Sequence, residues 1–161
     1  MADLLIGRVI AGKFAIESPI GTGAMGAVYR ARHVGLDKAV AVKVLHQTLA
    51  KDPTFAARLQ LEAKAASRLD HPNSVRVIDF GEEPDGLVYI AMELLDGNDL
   101  LRVIDRDWPL PDERIVDLLS QTLSALAQAH DMGVVHRDLK PENIMLLSRI
   151  DDEGRPRDVV K

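Results

Sequence analysis

Cysteine is absent from this 161-residue sequence, aromatic residues make up only 4% of it, and positive charge is in deficit. Without cysteine the chain can form no disulfide and no reactive thiolate, which fits a reducing compartment. The formal net charge of −5 argues against nucleic-acid and anionic-membrane surfaces, because both require clustered Lys and Arg. We therefore expect no nucleic-acid partner.

Long uncharged apolar runs are also missing. Charged residues interrupt the first 17 positions, and no later run approaches the ~20 residues that a membrane span needs. We expect no membrane contact from this segment and a cytoplasmic location, although a span beyond Lys161 in a longer parent would leave no trace here. The 47% hydrophobic content predicts one ordinary core or two small lobes.

The first half of the chain is rich in strand patterns and contains one predicted helix. Five short segments alternate or are β-branched: Phe14–Ile20, Ala27–Arg32, Lys38–Leu45, Ser74–Phe80 and Leu87–Met92. The helix is predicted from Asp52-Pro53 to about Leu69, because a capping residue followed by proline opens it. Glu62 falls on the apolar face of this helix, where a carboxylate needs a cationic partner.

The second half is mainly helical. Residues 93–97, with the acidic and glycine residues of a connector, predict a boundary between two lobes. A long helix is predicted from about Pro111 to Gly133, and its apolar stripe comprises Ile115, Leu119, Leu123 and Leu126. The expected organisation is α+β, with a lead-in over 1–13, a small lobe over 14–93 and a partial large lobe over 94–161.

A glycine-rich segment separates the first two predicted strands. It reads Gly21-Thr22-Gly23-Ala24-Met25-Gly26, a spacing that suits a dinucleotide fold, a phosphate-covering hairpin or an ordinary hairpin. A dinucleotide fold needs a helix directly after Gly26, whereas Ala27–Arg32 has the alternating pattern of a returning strand. The sequence therefore favours a hairpin whose bare backbone can approach phosphates.

Lys43 ends the run Val40-Ala41-Val42-Lys43 within a predicted strand. Taken alone, the residue is best interpreted as a solvent-facing lysine, because lysines are rarely buried. Glu62 on the neighbouring helix changes this interpretation, since an inward lysine and an inward glutamate satisfy each other's charge. A lysine held in this way can bind the phosphates of a nucleotide.

The most informative segment is His136-Arg137-Asp138-Leu139-Lys140-Pro141-Glu142-Asn143. It places a carboxylate, a lysine and an amide in one short loop. These are the groups needed to receive a hydroxyl proton, neutralise a phosphate and hold a metal ion. A solvated polar loop is the alternative interpretation. It is disfavoured, because it requires the whole string to match by chance.

With these motifs the chain resembles the eukaryotic-type protein kinase family, from about Phe14 to Lys161. The glycine-rich segment and His71-Pro72-Asn73 are similar to those of bacterial serine/threonine kinases, and Lys140 is the form found in serine/threonine kinases. The resemblance implies a protein-kinase-like fold, with a five-stranded antiparallel small lobe, one main helix and an incomplete, mainly helical large lobe. It also implies ATP and Mg²⁺ as cofactors, and proteins with Ser or Thr acceptors as substrates.

The resemblance implies a role for each matching residue. Lys43 paired with Glu62 would hold the α- and β-phosphates, and Asp138 would orient the substrate hydroxyl and accept its proton. Lys140 would neutralise the γ-phosphate, and Asn143 would bind Mg²⁺. The remaining nucleotide contacts would be Gly21, Thr22, Gly23, Ala24, Met25 and Gly26 over the phosphates, Val28, Ala41 and Met145 around the adenine, Met92 as gatekeeper, the backbone of Glu93 and Leu95, and Asp99 at the ribose.

The end of the sequence departs from the family pattern. Asp158-Val159-Val160-Lys161 resembles the strand that leads into Asp-Phe-Gly, but that triplet, the activation loop and the Ala-Pro-Glu segment do not follow it. The missing aspartate is the principal magnesium ligand in the family. We therefore expect a truncated domain that is inactive alone, with self-association through its unfinished large lobe.

Two other functions are compatible with the pattern. A nucleotide-binding pseudokinase or regulatory interaction module would explain the missing aspartate, but it would have no chemical need for Asp138, Lys140 and Asn143. A small-molecule phosphotransferase of the same fold is disfavoured, because Lys140-Pro141-Glu142 is the protein-kinase form of the loop.

Overall fold

A computed structural model of the chain describes residues 2–23, 26–45, 63–64 and 66–161. The chain divides into two compact units, the first comprising Met1–Arg68 and Arg76–Leu94, the second Leu69–Val75 and Leu95–Lys161. Each unit has its own hydrophobic core and its own antiparallel sheet. The described residues therefore confirm the predicted α+β class.

The first unit is built on a six-stranded antiparallel sheet in the order β1-β2-β3-β4-β6-β5. Its strands are β1 (Val9–Ile10), β2 (Phe14–Gly23), β3 (Gly26–His33), β4 (Lys38–Leu45), β5 (Val77–Glu82) and β6 (Val88–Glu93). All five predicted strands are present, and β5 begins three residues later than predicted. The two-residue strand β1 joins the edge as a sixth, too short to leave a pattern in the sequence.

One face of this sheet forms the core of the first unit. Side chains alternate between the two faces of a strand, so every second residue of the central strands faces the same way. The buried set comprises Tyr29, Ala31, Val40, Val42, Val44, Tyr89 and Ala91, together with Ile10, Phe14, Ile16 and Leu87. The lead-in residues pack here too, because Leu5 and Ala11 contact this cluster.

The first unit also contains the letters Asp-Phe-Gly, at residues 79–81 of strand β5. Asp79 accepts an ion-pair hydrogen bond from Lys13 Nζ at 2.9 Å, and Phe80 and Gly81 pair with β6. This triplet belongs to an edge strand of the sheet. We assign this triplet no role in metal binding.

Most of the predicted helix from Asp52-Pro53 to Leu69 lies outside the described residues, and Glu62 lies outside them as well. Residues 63, 64 and 66 are helical, and the amide of Ser67 donates to the carbonyl of Ala63 at 2.8 Å. Residues 67 and 68 form a turn, so the helix ends slightly before the predicted Leu69.

The second unit contains two α-helices, a short 3₁₀ helix (Pro141–Asn143) and a three-stranded sheet. The helices are α1 (Leu100–Asp107) and α2 (Asp112–Asp131), and the strands are β7 (Asn98–Asp99), β8 (Met145–Ile150) and β9 (Pro156–Val160), in the order β7-β8-β9. Helix α1 was not predicted. The hydrophobic core of the second unit comprises Val103, Leu110, Leu118, Leu146 and Val160.

Helix α2 agrees with the predicted bounds: it begins after Pro111 and ends shortly before Gly133. Gly133 has a φ of 75°, the left-handed conformation that commonly ends a helix at glycine. The predicted stripe is divided between two environments. Ile115 packs against the core, whereas Leu119 and Leu123 are 55% and 61% exposed. Leu118 is buried instead, since α2 packs on β9 through a neighbouring face. No helix in the described part of the chain is long and apolar enough to cross a bilayer.

An ion-pair cluster joins the end of α1 to the start of α2. Arg106 donates to both carboxylate oxygens of Asp107, at 2.6 and 2.9 Å, and Arg114 donates to the same group at 3.4 Å. These contacts lower the pKa of Asp107 from 3.8 to about 2, and the hydrogen bonds from Arg106 are the largest cause.

Because the folded-state pKa of Asp107 lies below its ordinary value, the carboxylate stabilises the fold above about pH 3.8, and this contribution disappears as the pH falls to about 2. Asp107→Asn should therefore lower the urea midpoint at pH 7 but not at pH 2. Asp105→Asn, which changes an exposed carboxylate of the same helix, is the control. An equal loss at both pH values would show that packing, and not charge, is responsible.

Candidate active site

The glycine-rich segment forms the tip of a β-hairpin. Strand β2 ends at Gly23 and β3 begins at Gly26, and these two residues pair across residues 24–25. Thr22 pairs with Ala27 and is exposed, whereas Ala24 and Met25 lie outside the described residues. A strand and not a helix follows Gly26, so the hairpin prediction holds and the dinucleotide-fold alternative is wrong.

The three glycines of the hairpin differ in their surroundings. A Cβ added at Gly21 or Gly23 would meet no described atom within 4 Å. A Cβ added at Gly26 would overlap the carbonyl oxygen of Val44 and lie 2.9 Å from its carbonyl carbon. Gly21 and Gly23 therefore leave open space beside the backbone, whereas Gly26 allows β3 to pass close to β4.

Four predicted nucleotide contacts share the face of the sheet opposite the core. Val28 is directly across from Lys43, and Ala41 is directly across from Met92. Residues directly opposite in antiparallel strands lie on the same face with Cβ atoms ~5 Å apart. Gly21 pairs with Val28, so the hairpin begins in the same row as Lys43. The predicted partner of Lys43, Glu62, lies outside the described residues.

The two predicted backbone contacts, Glu93 and Leu95, are placed differently. The amide of Glu93 already donates to the carbonyl of Arg76 at 3.0 Å, and its carboxylate accepts from the amide of Arg76 at 2.9 Å. Among the described residues none forms a hydrogen bond with the backbone of Leu95. In the described part of the chain the amide and carbonyl of Leu95 therefore have no hydrogen-bond partner, whereas the Glu93 amide has one.

The loop with the predicted catalytic residues is fixed at both ends. At its start, the amide of Val134 donates to the carbonyl of Ala129 in α2 at 2.9 Å. At its end, the carbonyl of Ile144 accepts from the amide of Leu100 at 2.8 Å. Between them Arg137 has a φ of 62°, a conformation that costs a non-glycine residue roughly 1–3 kcal/mol. This local strain could not be read from the sequence.

Asp138, Lys140 and Asn143 form one contact group within this loop. The side-chain amide of Asn143 donates to the carbonyl of Asp138 at 2.8 Å and to its Oδ2 at 3.0 Å. Lys140 Nζ lies 3.4 Å from the same Oδ2. No hydrogen bond from a described residue reaches Oδ1 of Asp138, and the side chain is 59% exposed. One oxygen is therefore held, and the other has no hydrogen-bond partner among the described residues.

The same contacts control the charge of Asp138. The hydrogen bond from Asn143 is the largest cause that holds the pKa of this carboxyl below its ordinary value, and the charge of Lys140 acts in the same direction. Partial desolvation opposes both. Asp138 is therefore a carboxylate at neutral pH, ready to accept a hydrogen bond.

A divalent metal would need further ligands besides the protein. In the described residues no group of three or more His, Cys, Asp or Glu side chains could hold a metal ion. Because the side-chain nitrogen of Asn143 donates to Asp138, the amide oxygen remains as a hard ligand of the kind that Mg²⁺ prefers. This one oxygen is compatible with Mg²⁺, whose other positions nucleotide phosphates and water would have to supply.

The last two predicted nucleotide contacts lie at the β7–β8 pairing. Asp99 is opposite Met145, and the backbone of Met145 pairs with Lys161 at 2.8 Å in both directions. The Asp99 carboxylate caps helix α1 by accepting from the amide of Arg102 at 2.8 Å, and its other oxygen lies 3.1 Å from Arg102 Nε. The predicted ribose contact of Asp99 therefore competes with its role as the N-cap of helix α1. An aspartate directly before a helix is a pattern that could have indicated this role.

A separate cleft of about 710 Å³ lies in the second unit, between the sheet and both helices. Of the predicted site residues that the structure describes, none lines this cleft. Its arginines are paired with aspartates, as in the 2.7 Å contact between Arg114 and Asp158. We assign it no part in the chemistry of the loop.

Comparison with known proteins agrees with this geometry. Residues 14–155 match the family model described as the protein kinase domain. The chain belongs to the protein kinase domain family. The kinase chain is 54% identical over 147 residues to the serine/threonine-protein kinase Pkn3 of Myxococcus xanthus. It is 43% identical over 143 residues to PrkC of Bacillus subtilis.

Solved structures confirm the predicted kinase fold. The PknI kinase domain of Mycobacterium tuberculosis has a TM-score of 0.78 and 37% identity, over 87% of this chain and 57% of that one. The match to Pkn3 covers 91% of this kinase chain and 27% of Pkn3, and the match to PrkC covers 89% and 22%. The chain thus spans about a quarter of the length of the curated relatives it matches.

Proposed function

We propose that this chain binds Mg-ATP and carries the catalytic loop of a serine/threonine protein kinase. The proposed reaction transfers the γ-phosphoryl group of ATP to a Ser or Thr hydroxyl of a protein. The observation that carries the proposal is the contact group of Asp138, Lys140 and Asn143, in which one carboxylate oxygen is held and the other is open. The names of the bacterial relatives support the serine/threonine class.

Asp138 is proposed to orient the acceptor hydroxyl. Its Oδ1 would accept the hydroxyl proton as a hydrogen bond while Asn143 holds Oδ2, so that the attacking oxygen faces the phosphorus. Because the pKa of Asp138 is lowered, it is a weak base. Its main contribution is therefore orientation, and it receives the proton late, when the hydroxyl oxygen has bonded to phosphorus.

Lys140 and Asn143 are proposed to act on the phosphate side. Lys140 Nζ lies 3.4 Å from Asp138, so it can neutralise the γ-phosphate next to the attacking hydroxyl. The amide oxygen of Asn143 would be a ligand of Mg²⁺, which when bound offsets the negative charge of the phosphates.

The nucleotide contacts are proposed to lie on the free face of the β-sheet and the hairpin. Lys43 would bind the α- and β-phosphates, and the open space beside Gly21 and Gly23 lets backbone amides approach them. Val28 and Ala41 would contact the adenine, as would Met145. Met92 would border the adenine as the gatekeeper, and Leu95 would offer its backbone.

Lys43→Met provides the first test of the nucleotide site. Loss of one charge-assisted contact to phosphate should lower Mg-ATP affinity about 10–100-fold. Affinity for adenosine, which has no phosphate, should stay unchanged. Isothermal titration of the 161-residue chain with both ligands measures the two affinities.

Lys38→Met is the matched control, because Lys38 is an exposed lysine at the other end of β4. It should change neither affinity. If Lys43→Met lowered the affinity for adenosine as much as the affinity for Mg-ATP, the lysine would support the structure of the site and would not bind phosphate. If it weakened neither, Lys43 would have no part in nucleotide binding.

The proposal also includes a cytoplasmic location, where ATP is available, and protein substrates. A nucleotide-binding module without catalysis is the outcome that would replace it. In that case Mg-ATP would bind with the predicted dependence on Lys43, but no phosphoryl transfer would depend on Asp138.

A further inference from the structure

Gln121 lies in the middle of helix α2, and its side-chain amide uses its full hydrogen-bonding capacity. Its Oε1 accepts from Asn73 Nδ2 at 2.8 Å and from the amide of Val160 at 2.9 Å. Its Nε2 donates to Asp117 Oδ2 at 2.9 Å and to the carbonyl of Asp158 at 3.0 Å. An amide side chain accepts two hydrogen bonds and donates two, so every position is filled.

These contacts hold the outer edge of strand β9, which is the edge strand of its sheet. Asn73 Nδ2 also donates to the carbonyl of Val160 at 2.9 Å. Side chains therefore hold both backbone groups of Val160, a residue that is 2% exposed. Buried edge groups without a partner would be costly, so the two amides take the place of a further strand.

The residue after Val160 connects this network to the loop. Lys161 pairs through its backbone with Met145, at 2.8 Å in both directions, and its Nζ donates to the carbonyl of Ser74 at 3.1 Å. Met145 opens strand β8, two residues after Asn143. The position of β9 thus sets the position of the loop's C-terminal end.

The N-terminal end of the same loop is attached to α2, through the bond from Val134 to Ala129. Gln121 belongs to α2 and holds β9, which in turn pairs with β8. Its side chain therefore links the two elements between which the catalytic loop is suspended. Arg114 also joins α2 to β9, through the carboxylate of Asp158, whereas Gln121 binds the backbone of both Asp158 and Val160.

We infer that Gln121 is a positioning residue, which fixes the span of the catalytic loop by joining α2 to the end of β9. The inference rests on the proposed function, because that proposal makes the loop catalytic. The hydrogen bonds of Gln121 do not depend on the proposed function. Loss of these bonds should let the Met145–Lys161 pair open and displace Asn143 and Met145 from their places at the nucleotide.

Gln121→Met tests this inference in the 161-residue chain, because methionine keeps the length of the side chain and removes all four hydrogen bonds. Hydrogen exchange of the Met145 and Lys161 amides, followed by NMR, should accelerate at least about tenfold. Exchange in strand β4 should stay unchanged. Mg-ATP affinity should fall about tenfold under conditions in which urea titration shows the variant to be fully folded.

Gln128→Met is the matched control, since Gln128 lies on the same helix and its side chain makes one weak bond within the described residues, to the carbonyl of Asp70 at 3.4 Å. It should leave both measurements unchanged. A second variant, Gln121→Glu, keeps an oxygen that accepts from Asn73 and from the Val160 amide but loses the donor to the Asp158 carbonyl. Its exchange rates at Met145 and Lys161 should therefore lie between those of the unaltered chain and those of Gln121→Met.

Exchange at Met145 and Lys161 that rises no more in Gln121→Met than in Gln128→Met would overturn the inference, whatever the nucleotide affinity. An affinity loss explained entirely by the unfolded fraction would also overturn it. Failure of the unaltered chain to bind Mg-ATP would instead refute the proposed function, and the exchange result would still decide the role of Gln121. If Gln121→Met does not fold, Gln121→Ala removes the same four hydrogen bonds without the methionine side chain, and unchanged exchange in that variant would overturn the inference.

Discussion

Asp138→Asn is expected to lower phosphoryl transfer to a serine-containing peptide about 10²–10⁴-fold, the range of a positioned acid–base group. Asparagine keeps the size of the side chain and can still accept from Asn143, so the loop should retain its shape. The substitution removes the negative charge and the proton acceptor that the hydroxyl needs. Mg-ATP affinity should therefore stay within about twofold, because the change acts on transfer and not on nucleotide binding.

The assay is best made in a chimera that joins the remaining kinase-domain residues of Myxococcus xanthus Pkn3 after Lys161, since Pkn3 is 54% identical over the matched region. Asp105→Asn, an exposed carboxylate of α1, is the control and should have no effect. Full activity in Asp138→Asn would mean that another carboxylate acts as the acceptor. Asp151 is a poor replacement, because it already accepts from the amides of Glu153 and Arg155.

Gly26→Ala is expected to destabilise the first unit by about 1–3 kcal/mol, the usual cost of overpacking. The added Cβ would overlap the carbonyl oxygen of Val44, and a backbone atom cannot move aside without disturbing the pairing of β3 with β4. Urea titration followed by circular dichroism measures the loss.

Gly21→Ala and Gly23→Ala are the matched controls, because an added Cβ at either position meets no described atom within 4 Å. Their stability should change by less than about 0.5 kcal/mol, while their Mg-ATP affinity should fall if the hairpin covers the phosphates. Equal destabilisation by all three substitutions would contradict the separation of one packing glycine from two ligand-facing glycines.

The strands and the catalytic loop were predictable because their signals are local. Lys38–Leu45 alternates so clearly that the predicted and observed bounds of β4 coincide. Asp138, Lys140 and Asn143 lie within six residues, so almost any compact loop would bring them near each other. The hairpin followed from the strand pattern after Gly26, which a dinucleotide fold would not have.

Other elements were not predictable because their signals are short or ambiguous. Strand β1 has two residues. Helix α1 has eight residues, and Asp99 at its N-cap is its one capping signal in the sequence. The stripe on α2 was recognised, but periodicity alone did not reveal that Leu118 faces the core while Leu119 and Leu123 are exposed. A helix has the same periodicity whichever face its neighbour covers.

The sequence by itself determined the family, the strand and hairpin pattern, and the three chemical groups of the loop, because each depends on residues that are close along the chain. The tertiary structure alone decided that Gly97 must lack a side chain, since a Cβ there would overlap the carbonyl oxygen of Leu146. It also decided that Asn73 holds Val160, 87 residues away. Such contacts depend on which elements meet in space, and periodicity within a single helix or strand contains no information about its neighbours.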